Sequence, residues 1–568
     1  MHPQNVEQDL HVLLPNIPFV PPKGDVCFVN NLPPELLSRI FELGAADTDS
    51  EDEDDMGGFW ENLRSSLDTE QGDEEDSRDS DSDITEEDDD ETDDDDDSDG
   101  TGSSDLSLWP PFQIVVSQVC HHWRNVALST PSLWTTIDVA PESRPPYLSV
   151  STLLERSKGL PIDIYIDCEP PDSEDSTESL GPSLTDLTFL YNLLIPHIHR
   201  WRTIEVSVSY YQDMFLFLNA VSDSPLSAAP QLTMLQLYDH KGTDEFDNFP
   251  YPRMSRHFTL FGGSAPCLTT ITLWGVHVDW KQPWITSAPR LVELELAFHA
   301  EDVRPTWDEL ATILRGASSL ERLSLRMSGP SGDPSEWTIE PTPTSPGDLN
   351  APILLPKVSD FVLAFHSQAR AIGLIHKLVL PAIKNLLLDF DTGDYTDLIA
   401  VLVGPPTSLS PLPAQEQPCS LLNRLENLNL AGLPCHPESI DVFYGELQNL
   451  TSLNISLSYL HPQFLDILGT SCTLAGCGDI WLPRLKTLHV SGTSGDVLRE
   501  VIEKRKSAGV PLESLYVEKS CELDGDDVKW LKQALKTFEL FEGSDDEDLD
   551  FEDLRDSEEV DEWSDIVE

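Results

Sequence analysis

The run Cys120-His121-His122 brings together three residues of the types that ligate zinc. Its spacing argues against a site, because consecutive residues on a helix project about 100° apart, whereas zinc needs ligands that converge. Cys472 and Cys477 have no second Cys or His pair to complete them. The sequence also lacks GxSxG, HExxH, GxGxxG and Walker patterns, the usual carriers of nucleophilic, metallohydrolase and nucleotide chemistry. Paired carboxylates are uninformative in a chain with 102 Asp and Glu. The expectation is no enzyme, no metal and no cofactor. Ser50, Ser77, Ser80, Ser98 and Ser544 border Asp/Glu runs that acidophilic kinases of the casein-kinase type favour, although such runs are commonly only solvated linkers.

The acidity is concentrated. Of the formal net charge of -67, the tract Asp47–Asp99 carries -27 (29 Asp or Glu against two Arg) and Glu542–Glu568 carries -14 (15 against one). Such segments self-repel and hold too little apolar surface to offset their ordering entropy, so 47–105 and 542–568 are expected to be disordered. The sign excludes nucleic acid and anionic membrane as electrostatic partners. Nine scattered cysteines suit reduced thiols. No apolar run approaches the length of a spanning helix, and the first residues lack a basic-then-apolar leader, so a cytoplasmic or nuclear protein is expected.

Two helical patterns flank the acidic tract. In NNLPPELLSRIFELGA, prolines open a helix, apolar residues recur at Leu36, Leu37, Ile40, Phe41 and Leu43, and Gly44 provides a stop. In QIVVSQVCHHWRNVAL, Val115, Val116, Val119, Cys120, Trp123, Val126 and Ala127 form one stripe that predicts a single second helix ending before Pro131.

Downstream, Pro-x-Leu-x-x-Leu-x-Leu recurs with conservative changes at Leu232, Leu268, Leu291, Leu320, Val358, Ile383, Leu425, Leu450, Leu485 and Leu512, and WRTIEV at Trp201 is read as an opening copy. Each copy predicts a short strand with three apolar positions inward and the intervening residues on a shared sheet face. RPTWDELATILRGASS, with a capping box at Thr306 and Glu309, and GDVLREVIEKRKSAG predict helices between strands. DDVKWLKQALKTF, with Val528, Leu531, Leu535 and Phe538 on one face, predicts a capping helix. Segments 169–182, 328–350 and 404–420 are rich in Pro, Ser, Thr or Gly and read as loops.

LPPELLSRIFELG and VSQVCHHWRNVALSTPSLW together resemble an F-box, in the divergent form common in mushroom-type (basidiomycete) fungi where a leucine-rich-repeat array follows; LPIDIYID and HIHRWRTIEV also resemble that group. The resemblance implies an α/β chain: F-box first part 26–46, acidic insert 47–105, F-box second part 106–139, a curved leucine-rich-repeat solenoid of parallel strands plus helices 140–541, and an acidic tail 542–568. It implies docking on a Skp-type adaptor, and through it a cullin, as the substrate-recruiting subunit of a ubiquitin ligase complex. Leu32, Pro33, Glu35, Leu36, Ile40 and Phe41 then form the first half of the docking helix and its core, and Val119, Cys120, Trp123 and Arg124 the second half. An unknown protein substrate is expected on outward strand residues such as Met234, Gln236, Tyr238, Trp274, Arg322 and Arg326. The insert departs from the family pattern, which has a short loop there. A reading from another class remains open: an acidic leucine-rich-repeat chaperone for histones or other basic proteins, which does not need LPPELL or VCHHWRNVA.

Overall fold

The computed structural model describes residues 29, 32–47, 111–141, 143–168, 181–222, 224, 228–240, 248–337, 352–390, 392–404, 420–470 and 480–541. Apart from Asp47, both acidic tracts lie outside the described residues, as do most of the three expected loops, Cys27, Cys419, Cys472, Cys477 and the five serines beside acidic runs. The described residues divide into two compact units, one holding those at 29–47, 111–135 and 154–160, the other those at 136–153 and 161–541.

The first unit is helical: α1 (Pro34–Asp47), α2 (Phe112–Val119), α3 (His121–Ser129) and a 3-10 turn at Pro131–Trp134. The stripe from Val115 to Ala127 predicted one helix, and the structure has two. Cys120 is extended, with φ −158° and ψ 170°, and its Sγ accepts the Trp123 N–H at 3.5 Å, capping α3. Gly44 does not end α1 either. The helix runs on to Asp47, and a Cβ at Gly44 would stand 2.3 Å from the Phe112 ring, so the glycine permits close packing of α1 on α2. Leu37 and Phe41 are buried with Val116, Val126, Ala127, Leu133 and Trp134. The Phe41 and Trp123 rings meet at 5.1 Å. Trp134 Nε1–H donates to the Ala127 carbonyl at 2.9 Å, and the Ser38 and Thr130 hydroxyls share a hydrogen bond at 2.8 Å, joining segments that the acidic insert separates in sequence.

The second unit is a 14-stranded, all-parallel sheet whose spatial order follows the chain: β1 (Thr136–Val139), β2 (Ile162–Asp167), β3 (Trp201–Val208), β4 (Met234–Asp239), β5 (Thr270–Trp274), β6 (Glu293–Ala297), β7 (Arg322–Arg326), β9 (Asp360–Ala364), β11 (Asn385–Asp389), β12 (Asn427–Leu430), β13 (Ser452–Ser456), β14 (Thr487–Ser491), β15 (Ser514–Glu518) and β16 (Thr537–Phe541). β8 (Ile353–Leu354) and β10 (Leu378–Val379) pair separately. This is the parallel-strand solenoid the repeats predict, and every strand expected from Trp201 to Leu512 is present. Leu232, Leu235 and Leu237 are fully buried, as expected.

Three strands, β1, β2 and β16, extend the array. β1, placed by sequence with the helical module, pairs with β2. Phe538, expected on the capping helix, lies in β16 opposite Leu515, because the helix ends at Ala534 where Leu535 turns extended. The capping box at Thr306 forms as predicted: the Glu309 N–H donates to Thr306 Oγ1 at 3.3 Å and the Thr306 N–H to Glu309 Oε2 at 2.7 Å. Several strands exit through a left-handed residue: Gly275 (φ 65°), Phe298 (53°), Met327 (43°), Phe365 (56°) and Gly492 (67°). The three that are not glycine are strained, at a cost of roughly 1–3 kcal/mol each that surrounding packing must offset. Phe298 supplies such packing, against Trp274 at 5.3 Å and Phe365 at 6.0 Å.

Candidate functional site

On α1, Leu36, Ile40 and Leu43 recur at i, i+4 and i+7 and stand about half exposed, at 54%, 48% and 55%. Leu37 and Phe41 turn the other way into the core. α2 repeats the arrangement, with Val115 and Val119 exposed and Val116 buried. The helices thus carry two apolar stripes each, one spent on their own packing and one left in water. Leu36 and Ile40, expected to belong partly to the core, lie outside it. Among the other positions that the resemblance to an F-box singles out, Pro33, Glu35 and Arg124 are exposed, Leu32, Cys120 and Trp123 are half-buried, and Phe41 is core. Leu43 and Val115 were expected as stripe residues but not as surface contacts, although the i+7 spacing from Leu36 was a readable signal.

The outward residues expected from sequence share one face of the sheet. Register places Met234, Thr270, Glu293 and Arg322 in one row across β4–β7, and Tyr238, Trp274, Ala297 and Arg326 in another. Their availability differs. Trp274 is buried, beside Tyr238 at 5.4 Å between ring centres. Arg322 pairs with Glu293 at 2.9 Å and buried Arg326 with Glu295 at 3.3 Å, so both cations are neutralised within the face. Burial pushes the Glu295 carboxyl up, opposed by Arg326 and by the Ser324 hydroxyl, which donates to it at 3.1 Å. Burial, with Glu205 and Glu295 nearby, raises the Tyr238 phenol. Met234, Gln236 and Tyr238 remain half-buried, and the Gln236 amide donates to the Tyr238 hydroxyl at 3.1 Å. Sequence reasoning named the arginines without their glutamates, whose strand positions equally face outward.

Behind the strand exits lies a ladder of buried histidines. His299 donates through Nε2 to the Val276 carbonyl at 3.0 Å and shares a 2.8 Å bond from Nδ1 with Ser328 Oγ. His366 donates through Nε2 to the Leu325 carbonyl at 3.2 Å. Burial lowers both imidazoles to about 3, so they stay neutral and join neighbouring repeats rather than transfer protons.

Among the described residues no group of three His, Cys, Asp or Glu could hold a metal ion, and no helix is long and apolar enough to cross a membrane. Among the described residues, Cys267, Cys435 and Cys521 are free thiols.

No protein-family model matches the chain, and no curated protein sequence does. A solved structure, the leucine-rich repeat-containing protein LegL7 from Legionella pneumophila, is similar over 59% of this chain and 90% of that one, at 14% identity and a TM-score of 0.29.

Proposed function

We propose that the chain is the substrate-recruiting subunit of a cullin-RING ubiquitin ligase, docking a Skp-type adaptor through its helical module and a protein substrate through the sheet. The observation that carries this reading is the second apolar stripe, Leu36, Ile40 and Leu43 with Val115 and Val119, on helices whose sequence resembles an F-box. Aliphatic side chains repeated along one exposed helical face are costly in water and mark a partner-binding surface. The acidic insert is dispensable in this reading, because the two parts of the module pack directly on each other.

The test is capture of the full chain by purified adaptor. Leu36→Ala with Ile40→Ala should weaken it about a hundredfold while leaving the melting temperature nearly unchanged, since both side chains lie outside the core. Wild-type protein that never binds adaptor, and is instead recovered from its native cell with histones, would favour the acidic-chaperone reading that the net charge of -67 keeps in play.

A further inference from the structure

Near the end of the array, the outward face changes character. Tyr516 in β15 stands in register between His489 of β14 and Glu539 of β16, and the Tyr516 and His489 rings stack at 4.3 Å and 10°. Two residues along from Tyr516, on the same face, is Glu518, in register with Phe541. Glu518 is only 6% exposed, and its Oε2 is buried with no hydrogen-bond partner. In the middle of the sheet Glu293 has the Arg322 guanidinium beside it and Glu295 that of Arg326. Among the described residues no lysine or arginine pairs with Glu518 or Glu539. A buried carboxylate oxygen with no donor is unfavourable, and a flat ring pair on the same face is a surface on which a planar cation stacks.

We propose that the face over β14–β16 receives an arginine side chain from a partner protein, its guanidinium lying on the Tyr516–His489 stack with Glu518 and Glu539 as counter-charges. This rests on the reading that the sheet takes a protein partner and adds the chemistry of the contact. Arginine fits better than lysine because its planar fork can stack on a ring and engage a carboxylate together, whereas an ammonium is a strongly hydrated point charge. The intramolecular Arg322–Glu293 and Arg326–Glu295 pairs show the same chemistry satisfied within the fold.

The acidic tracts would attract any cationic peptide, so the test compares two peptides of equal charge. Fluorescein-labelled peptides carrying three Gly-Gly-Arg or three Gly-Gly-Lys units are titrated against the full chain by anisotropy at about 0.15 M salt, where exposed charges are largely screened beyond about 8 Å. The expected result is an arginine preference of roughly tenfold, about 1.4 kcal/mol. It should vanish in Glu518→Gln and in Tyr516→Leu and shrink in Glu539→Gln, an exposed position whose change leaves packing alone. Equal binding of the two peptides by wild type, or a preference that survives in Glu518→Gln and Glu539→Gln, overturns the assignment. Adaptor capture by the same variants should be unchanged. A chain that shows the arginine preference yet never captures adaptor would refute the ligase reading and keep this site.

Discussion

Leu36, Ile40 and Leu43 stand in water on α1, while the face of β14–β16 holds Glu518 without a cation. Both regions carry unpartnered side chains, but of opposite kinds. The helical module leaves aliphatic carbon exposed, so its contact should strengthen with apolar area and respond weakly to salt. The sheet face leaves charge and aromatic rings, so its contact should depend on ionic strength and on the shape of a cation. One chain thus offers two surfaces that cannot easily substitute for one another, which is what the proposed two-partner role requires.

The comparison can be broken most forcefully in the core of the module. Phe41→Ala removes the ring packed on Trp123 and should cost about 3–5 kcal/mol of the module's stability. Circular dichroism should then show lost helix while the sheet persists, and a single transition for both units would contradict their separateness.

Acid should act next, and selectively on the sheet. His299 and His366 are held near 3 in the fold against an ordinary 6.5, so they add stability above the ordinary value and lose it as pH falls below, when the unfolded chain takes up protons the fold cannot. Between pH 7 and 5 this amounts to about 2 kcal/mol per histidine. Asp213, raised to about 6 by burial, works in the other direction, because protonation relieves its desolvation. Urea midpoints of wild type and of His299→Gln with His366→Gln, measured at both pH values, separate the two. The wild type should lose about 4 kcal/mol more than the variant, and parallel losses would rule out the ladder as an acid-sensitive element.

Smaller again is the paired change on α1. Leu36→Ala with Ile40→Ala should weaken adaptor binding by about a hundredfold, about 2.7 kcal/mol, and raising salt to about 0.5 M should change the wild-type affinity less than threefold. Strong salt dependence there would erase the contrast between the two surfaces. The smallest effect is expected from replacing residues 47–105 by a short Gly/Ser linker. Closing a loop of about 60 rather than about 10 residues costs about 1.6 kcal/mol, so the shorter linker should stabilise the module by no more than that, read from its melting transition.

The strands were legible because each buried leucine pair recurs after a proline or polar turn, and parallel pairing demands that inward alternation. β16 was not. Val528, Leu531, Leu535 and Phe538 fit a helical stripe as well as a helix followed by a strand, and only hydrogen bonding with β15 decides. β1 was hidden by its place beside the PSLW turn. The break at Cys120 escaped notice because apolar spacing continues across it and only the backbone records the extended residue. In α1 the residue types were legible but the direction each faces was not, since Leu36 and Leu37 are chemically alike and only tertiary packing settles which turns inward. Glu518 could not be read as unpaired in a chain where carboxylates are everywhere.

Spatial order equal to chain order has a mechanical consequence. Every strand of the large sheet is bonded only to its neighbours along the chain, so a pull on the last residues loads β16 against β15 alone. Tension would strip the array one strand at a time from that edge, each step releasing one rung's worth of chain before the next is stressed. Such a sheet yields under force as a graded spring rather than failing in one event.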